Sequence, residues 1–327
     1  MKLFLAILGL ALTLPACTSG PPLRDYTLAA PSVELSDTPF FPQRRYQCGP
    51  AALATVLVAD GVAVTPDELA PYIYLPQRRG SLQTEMLSAT RRYDRVPYTI
   101  GPNMDDLLAE VAAGSPVLVM LNLGLKLVPQ WHYAVVIGYH VPSDSLLLRS
   151  ATSKRLRMKR TRFQGAWLRA DNWAMVAVRP DQPPETAQSR EWLRAASAFE
   201  EQGQAMLAAQ AYQAGASRWP DQPLVWQALA NARYALKDLP AAEMALRRAL
   251  LLAPSVTAHN NLAHVLYERG CLAEATVQIN LAESLPGAVA FIDVLEGTRA
   301  AIRASRSHQF GECLKVDEGS PPGSHNN

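Results

Sequence analysis

Two tryptophans and two prolines in the second half of the chain recur at one interval: Trp192 and Trp226 lie 34 residues apart, as do Pro220 and Pro254. A fixed period of this length marks stacked helix pairs, each too small to bury its apolar face alone, so this half must form an array rather than a single-core globule. Aligned on the period, Ala208, Tyr212, Gly215 and Pro220 correspond to Ala242, Leu246, Ala249 and Pro254, and then, one residue out of phase, to Ala275, Ile279 and Ala282, with Pro286 two residues out. The small residues let paired helices approach closely, the large ones fill the space between pairs, and proline ends the second helix of each unit. Three units over residues 189–288 and a capping helix over 288–304 account for the segment 189–304. The chain has 327 residues, about twice the usual domain length, so another folded unit should precede the array.

These residue types at this spacing resemble the tetratricopeptide repeat (TPR), with Ala195-Ala196 and Leu229-Ala230 standing where that family prefers Leu-Gly. The resemblance implies an all-α solenoid whose concave surface recruits a protein partner or a peptide substrate.

Composition narrows the function classes. Hydrophobic residues make up 49% and charged residues 18%, enough to bury real cores and to exclude bulk disorder. Lys and Arg (31) nearly balance Asp and Glu (29), so no global cationic field draws the chain onto nucleic acid. The four cysteines, Cys17, Cys48, Cys271 and Cys313, form no CxxC pair and no Cys/His metal spacing. That excludes zinc fingers and a disulfide framework, and no cofactor or metal is implied. A Cys271–Cys313 pair in an oxidising compartment stays open.

Residues 1–16, MKLFLAILGLALTLPA, place one Lys before an apolar run that ends in small residues, the layout of a secretory signal peptide. The run is too short to span a bilayer, which takes roughly 20 apolar residues. Leu14-Pro15-Ala16-Cys17 resembles the lipobox of bacterial lipoproteins. That resemblance implies a lipidated Cys17 as the first mature residue, on the periplasmic side of the cell envelope. Thr18 rather than Asp after the Cys implies the outer membrane; the alternative is an ordinary cleaved signal. Residues 17–38, with Pro21, Pro22 and Pro31, read as a tether. Residues 305–327, polar and ending GSPPGSHNN, read as a disordered tail.

Between tether and array, residues 39–180 mix helices with strands, and Pro-rich residues 181–188 form a linker. Cys48-Gly49-Pro50 opens a helix that ends before Gly61. Thr65-Pro66-Asp67-Glu68 is a capping box for a second helix. A third covers 82–93, and a fourth runs from Asn103 as N-cap to Gly114. Strands are expected at 116–123, 132–139, 145–151, about 154–163 and 174–180. Helices first and an antiparallel sheet second make an α+β domain.

The chemistry concentrates in FFPQRRYQCGPAALATVL, residues 40–57. A cysteine at a helix start has its thiolate stabilised by unpaired N–H groups and the positive end of the macrodipole. QCGPAAL, followed some eighty residues later by WHYAVVIGY, resembles the C39-type peptidases, papain-like enzymes that include processors of bacteriocin leaders. The resemblance implies an α+β papain-like cysteine peptidase domain with Cys48 as nucleophile and His132 as general base and acid. Gln43 takes the part of oxyanion donor, with Gln47 as the runner-up. Where the family has an Asp or Asn to orient the histidine, this chain has Arg149-Ser150-Ala151. Ser150 is the candidate orienter, though it holds no negative charge; Asp144, the nearest acid, sits in an expected turn.

Rival readings remain at this level. Cys48 has the alternative of a buried small hydrophobe and His132 that of a satisfied core histidine. The domain could bind peptides without cleaving them, or serve as a spacer for a TPR scaffold at the outer membrane. The same acyl-enzyme attacked by an amine would make a transferase. His140, His259, His264 and His308 read as structural or surface residues. The basic run from Arg149 to Arg162 reads as the charged face of a sheet edge, with a surface for acidic substrate or lipid head groups as the alternative.

Overall fold

The segment CGPAALATVLVA is apolar on every side, and it folds as α1 (Cys48–Ala59) with residues 49–57 all buried. A helix without a polar face has to be surrounded. In the computed structural model, which describes residues 20–43 and 47–305, α1 lies between a sheet and the helices α2 (Pro66–Ile73) and α3 (Gln83–Arg91). Cys17, Cys313, the expected signal segment and all but the first residue of the expected tail lie outside the described residues. Thr65 opens α2 with the reciprocal capping box: its hydroxyl accepts the Glu68 N–H, and the Glu68 carboxylate accepts the Thr65 N–H. Asn103 caps α4 (Met104–Ala112) by accepting the Asp106 N–H at 2.8 Å. Such caps are each worth about 1 kcal/mol and fix where the helices begin.

The sheet has seven antiparallel strands: β1 (Ser32–Glu34), β2 (Val96–Thr99), β3 (Val117–Asn122), β4 (Trp131–His140), β5 (Ser145–Ser150), β6 (Ser153–Lys159) and β7 (Ala174–Val178). Their order is β2-β7-β3-β4-β5-β6, with β1 against β4. Alternation along β4 divides the interior in two. Tyr133, Val135 and Ile137 pack with α1, α2 and α3, while Ala134 and Val136 pack on the other face with α4 and α5 (Arg160–Leu168). Leu53, Leu57 and Met86 are fully buried on the α1 side, and each contributes about 2 kcal/mol by leaving water.

Two expectations need correction. The stretch 154–163 is not one strand: β6 ends at Lys159 and α5 begins at Arg160. The alternation of LRMKR masked a helix that lacks a side-chain cap, although Phe163, Ala166, Trp167 and Ala170, all buried, already show helical spacing. The tether expected over 17–38 is folded over its described part: Leu23 is fully buried and β1 pairs with residues 138–140 of β4. Gly138 permits that approach, because a Cβ there would collide with the Val33 carbonyl. Three paired residues carry too little periodicity to announce a strand. The sequence reading also passed over β2, whose Pro97 disguises an edge strand.

Among the described residues the second half is a row of seven helices: α6 (Ser189–Glu201), α7 (Ala205–Arg218), α8 (Pro223–Ala235), α9 (Leu239–Leu252), α10 (Val256–Glu268), α11 (Leu272–Ser284) and α12 (Ile292–Ser305), each packed on the next. All nine of the apolar and glycine positions related by the 34-residue period are buried. Cys271, buried at the start of α11, is disulfide-bonded. Buried Glu243 pairs with Arg247 and Arg269, and Arg247 reaches Glu274 at 2.5 Å, which ties α9 to the next helix pair. The row joins the sheet domain through Trp192, whose ring lies 6.4 Å from that of Tyr98, and through the Gln188 N–H, which donates to the Tyr98 hydroxyl. Among the described residues no helix is long and apolar enough to cross a bilayer.

Candidate active site

Cys48 is the first residue of α1, half-buried at the end where the helix has N–H groups to spare. Gly49 packs so closely that a Cβ there would run into the Ser81 side chain, so the loop around residue 81 lies directly over the helix start. Tyr133 donates its hydroxyl to the Ser81 carbonyl at 3.3 Å and pins that loop from the sheet side. Between these elements opens a cleft of about 1060 Å³, whose lining includes Gln43, Cys48, Arg78, Arg79, Trp131 and His132.

His132 is the second residue of β4, opposite Leu121 of β3. Its Nε2 lies 2.9 Å from Ser150 Oγ. The β4–β5 hairpin brings these residues together, since Val135 faces Arg149 and Ser150 ends β5. With Nε2 tied to Ser150, Nδ1 is the ring nitrogen left to take a thiol proton.

Gln43 enters the cleft from the segment before α1. Its side-chain amide donates to the Tyr133 carbonyl at 3.2 Å, and its backbone N–H donates to the Ala151 carbonyl at 3.0 Å. That segment is fastened by Arg149, a buried cation whose guanidinium donates to the carbonyls of Ser36 (2.9 Å) and Thr38 (2.7 Å). Gln47, the other candidate donor, makes no capping bond and does not line the cleft. Asp144 is far from the site: eight residues up β4 and around the turn from His132, roughly 26 Å at strand rise, it accepts from the Leu23 N–H and Arg160.

The electrostatics differ from the sequence expectation of an acidic thiol. Burial pushes the Cys48 thiol above its ordinary range, more than the backbone N–H groups of Tyr133, Gly49 and Cys48 itself draw it down. Burial also holds His132 below the usual imidazole value. The physical reason is that both groups sit under the same cover of protein, which disfavours either charge. Burial thus biases both groups toward their neutral forms. Hydrolytic use would need the ion pair to form as substrate fills the cleft.

Two organising residues escaped the sequence reading. Tyr133 ties three parts of the site together: its N–H faces the Cys48 sulfur, its carbonyl holds Gln43 and its hydroxyl holds the Ser81 loop. Arg149 had a visible signal, a cation inside the apolar strand SLLLRS. The remaining described histidines are engaged elsewhere: His140 with Ser143, His259 with Gln278 and His264 with Tyr234. No group of three or more His, Cys, Asp or Glu among the described residues is placed to hold a metal.

Residues 35–175 match the Peptidase_C39 like family. The C39-like domain thus spans the whole cleft, while the match ends before the helical row. Among solved structures, one similar to it is a putative C39-like peptidase from Bacillus anthracis, 20% identical, covering 47% of this chain and 99% of that one at a TM-score of 0.39. Another is the peptidase domain of Streptococcus ComA, described as a bi-functional ABC transporter involved in a quorum sensing pathway. It is 22% identical and covers 43% of this chain and 98% of that one at a TM-score of 0.35. A third is a double glycine motif protease from an AMS/PCAT transporter in complex with the leader peptide, 16% identical, covering 43% and 91% at 0.33. No curated protein matches the chain.

Proposed function

We propose that this chain is a lipid-anchored periplasmic cysteine peptidase that hydrolyses peptide bonds by acyl transfer. Cys48 gives its proton to His132 and attacks the substrate carbonyl; Gln43 and the Cys48 N–H receive the developing oxyanion. His132 then protonates the leaving amine and, in the second half, takes a proton from the water that releases the acyl group. Ser150 acts as the positioning residue for the ring. The observation that carries this reading is the convergence of Gln43, Cys48 and Ser150-bound His132 on one cleft. The helical row, read as three TPR-like units, recruits the substrate or a partner, and Cys17 carries the lipid that holds the protein at the outer membrane. The test is hydrolysis of a peptide library by wild type and Cys48→Ala. Cleavage should vanish in the variant while its thermal unfolding is unchanged, and equal cleavage by both would refute the assignment.

A second reading, a peptide-binding module without turnover, is favoured by the electrostatics: burial disfavours the charged forms of both thiol and imidazole, and among the described residues His132 bonds to a hydroxyl and not to a carboxylate. Alkylation of Cys48 by iodoacetamide separates the two. Rapid modification that depends on His132 supports the enzyme, and slow modification indifferent to His132→Ala supports the module.

A further inference from the structure

The connection between β3 and β4 reads LGLKLVPQ and turns its apolar side chains to solvent. Leu125 is 74% exposed, Leu127 94%, Val128 67% and Trp131, at its base, 54%. The tip is held in shape at its neck. Buried Asn122 accepts the N–H groups of Gly124 and Gln130, both at 3.0 Å, the Leu123 N–H donates to Gln130, and the Val128 N–H donates to Leu125. Arg169 donates to the Asn122 carbonyl at 2.9 Å, and its neighbour Leu168, at the end of α5, is itself exposed. A fixed loop that shows this much leucine to water is a contact surface.

Its chemistry indicates what it contacts. The sequence holds no Asp or Glu between Glu110 and Asp144, nor between Asp144 and Asp171, whereas Lys126, Arg162 and Arg169 lie on or beside the loop and α5. Leucines at a tip, a tryptophan at the base and three cations against a single acid, Asp171 beside Leu168, match the interfacial layer of an anionic bilayer. The path of the chain points the same way. Gly20 packs against Gln164 of α5, one helical turn, about 6 Å, before Leu168. Cys17 stands three residues earlier, at most about 11 Å of extended chain.

We propose that the loop 123–130, with Trp131 and Leu168, docks the C39-like domain onto an anionic phospholipid bilayer, so that the cleft bordered by Trp131 opens at the membrane surface. The orientation rests on the lipid-anchor reading of Cys17; the docking chemistry does not. The test uses the full chain reconstituted in phosphatidylethanolamine vesicles with phosphatidylglycerol, carrying bromine on the acyl chains. Tryptophan fluorescence should be quenched in wild type, with that component absent in Trp131→Phe and reduced at least fivefold in the double variant Leu125→Asp, Leu127→Asp. Both substituted leucines are exposed, so thermal unfolding should not change. Equal quenching in all three chains overturns the proposal. So does p-benzoylphenylalanine at position 127 that crosslinks to protein instead of lipid in native membranes, which would make the loop a protein-binding surface. The mass of the N-terminal peptide reports lipidation separately: an unmodified terminus with Trp131 still quenched removes the anchor and leaves the docking.

Discussion

Replacing Ser150 with Asp tests whether the site is limited by the missing charge on His132. The hydroxyl lies 2.9 Å from Nε2 in a buried position, so a carboxylate there would place unit charges about 4 Å apart across the hydrogen bond. At an effective dielectric of about 20 that attraction is about 4 kcal/mol, or roughly three pKa units, before the cost of burying the carboxylate is subtracted. A net rise of about one to two units in the His132 pKa is the expected result. The imidazolium so formed would in turn stabilise the Cys48 thiolate, which burial now disfavours. Iodoacetamide modification of Cys48, read by peptide mass spectrometry from pH 5 to 10, should speed up about 10-fold or more at pH 7 in Ser150→Asp. Ser150→Ala should leave the thiol pKa nearly unchanged and slow turnover about fivefold, the worth of one neutral hydrogen bond of about 1 kcal/mol. Unchanged or slower alkylation in a folded Ser150→Asp protein would refute the reasoning, because the ring would then not couple to the thiol.

Other consequences can be checked directly. Arg149→Met strands the carbonyls of Ser36 and Thr38 and should cost about 2–4 kcal/mol in urea unfolding. It should also lower kcat/KM by releasing the segment that carries Gln43, with Arg149→Lys partly restoring both. Glu110 is fully buried and its carboxyl is held above the usual range by burial. Its contribution is therefore complete below the unfolded pKa and is lost as pH rises through the higher folded one. The Tm of Glu110→Gln relative to wild type should climb between pH 4.5 and 8, and a difference that stays flat with pH would contradict this. Trp192→Ala removes a fully buried ring and its bond to the Ala211 carbonyl. A loss of about 3–5 kcal/mol should split calorimetric unfolding into separate transitions for sheet domain and helical row.

What the sequence determined by itself was local or periodic. Helix starts at Cys48, Pro66 and Met104 were legible because capping and proline geometry involve residues within one turn of each other. The nine period-related positions were legible as interior because stacked copies repeat the same packing demand. Cys48 and His132 stood out by residue type and motif. The tertiary structure decided the rest. It placed Gln43 in the cleft lining, which Gln47 does not join, through a bond to the Tyr133 carbonyl that spans ninety residues no local pattern links. It joined Ser150 to His132 through the β4–β5 register, folded residues 23–34 onto the domain, and turned residues 160–168 into a helix beneath the sheet. It also reversed the expectation for the thiol. A helix start stabilises a thiolate through the backbone around it, but desolvation depends on everything packed above, and only the assembled fold fixes that.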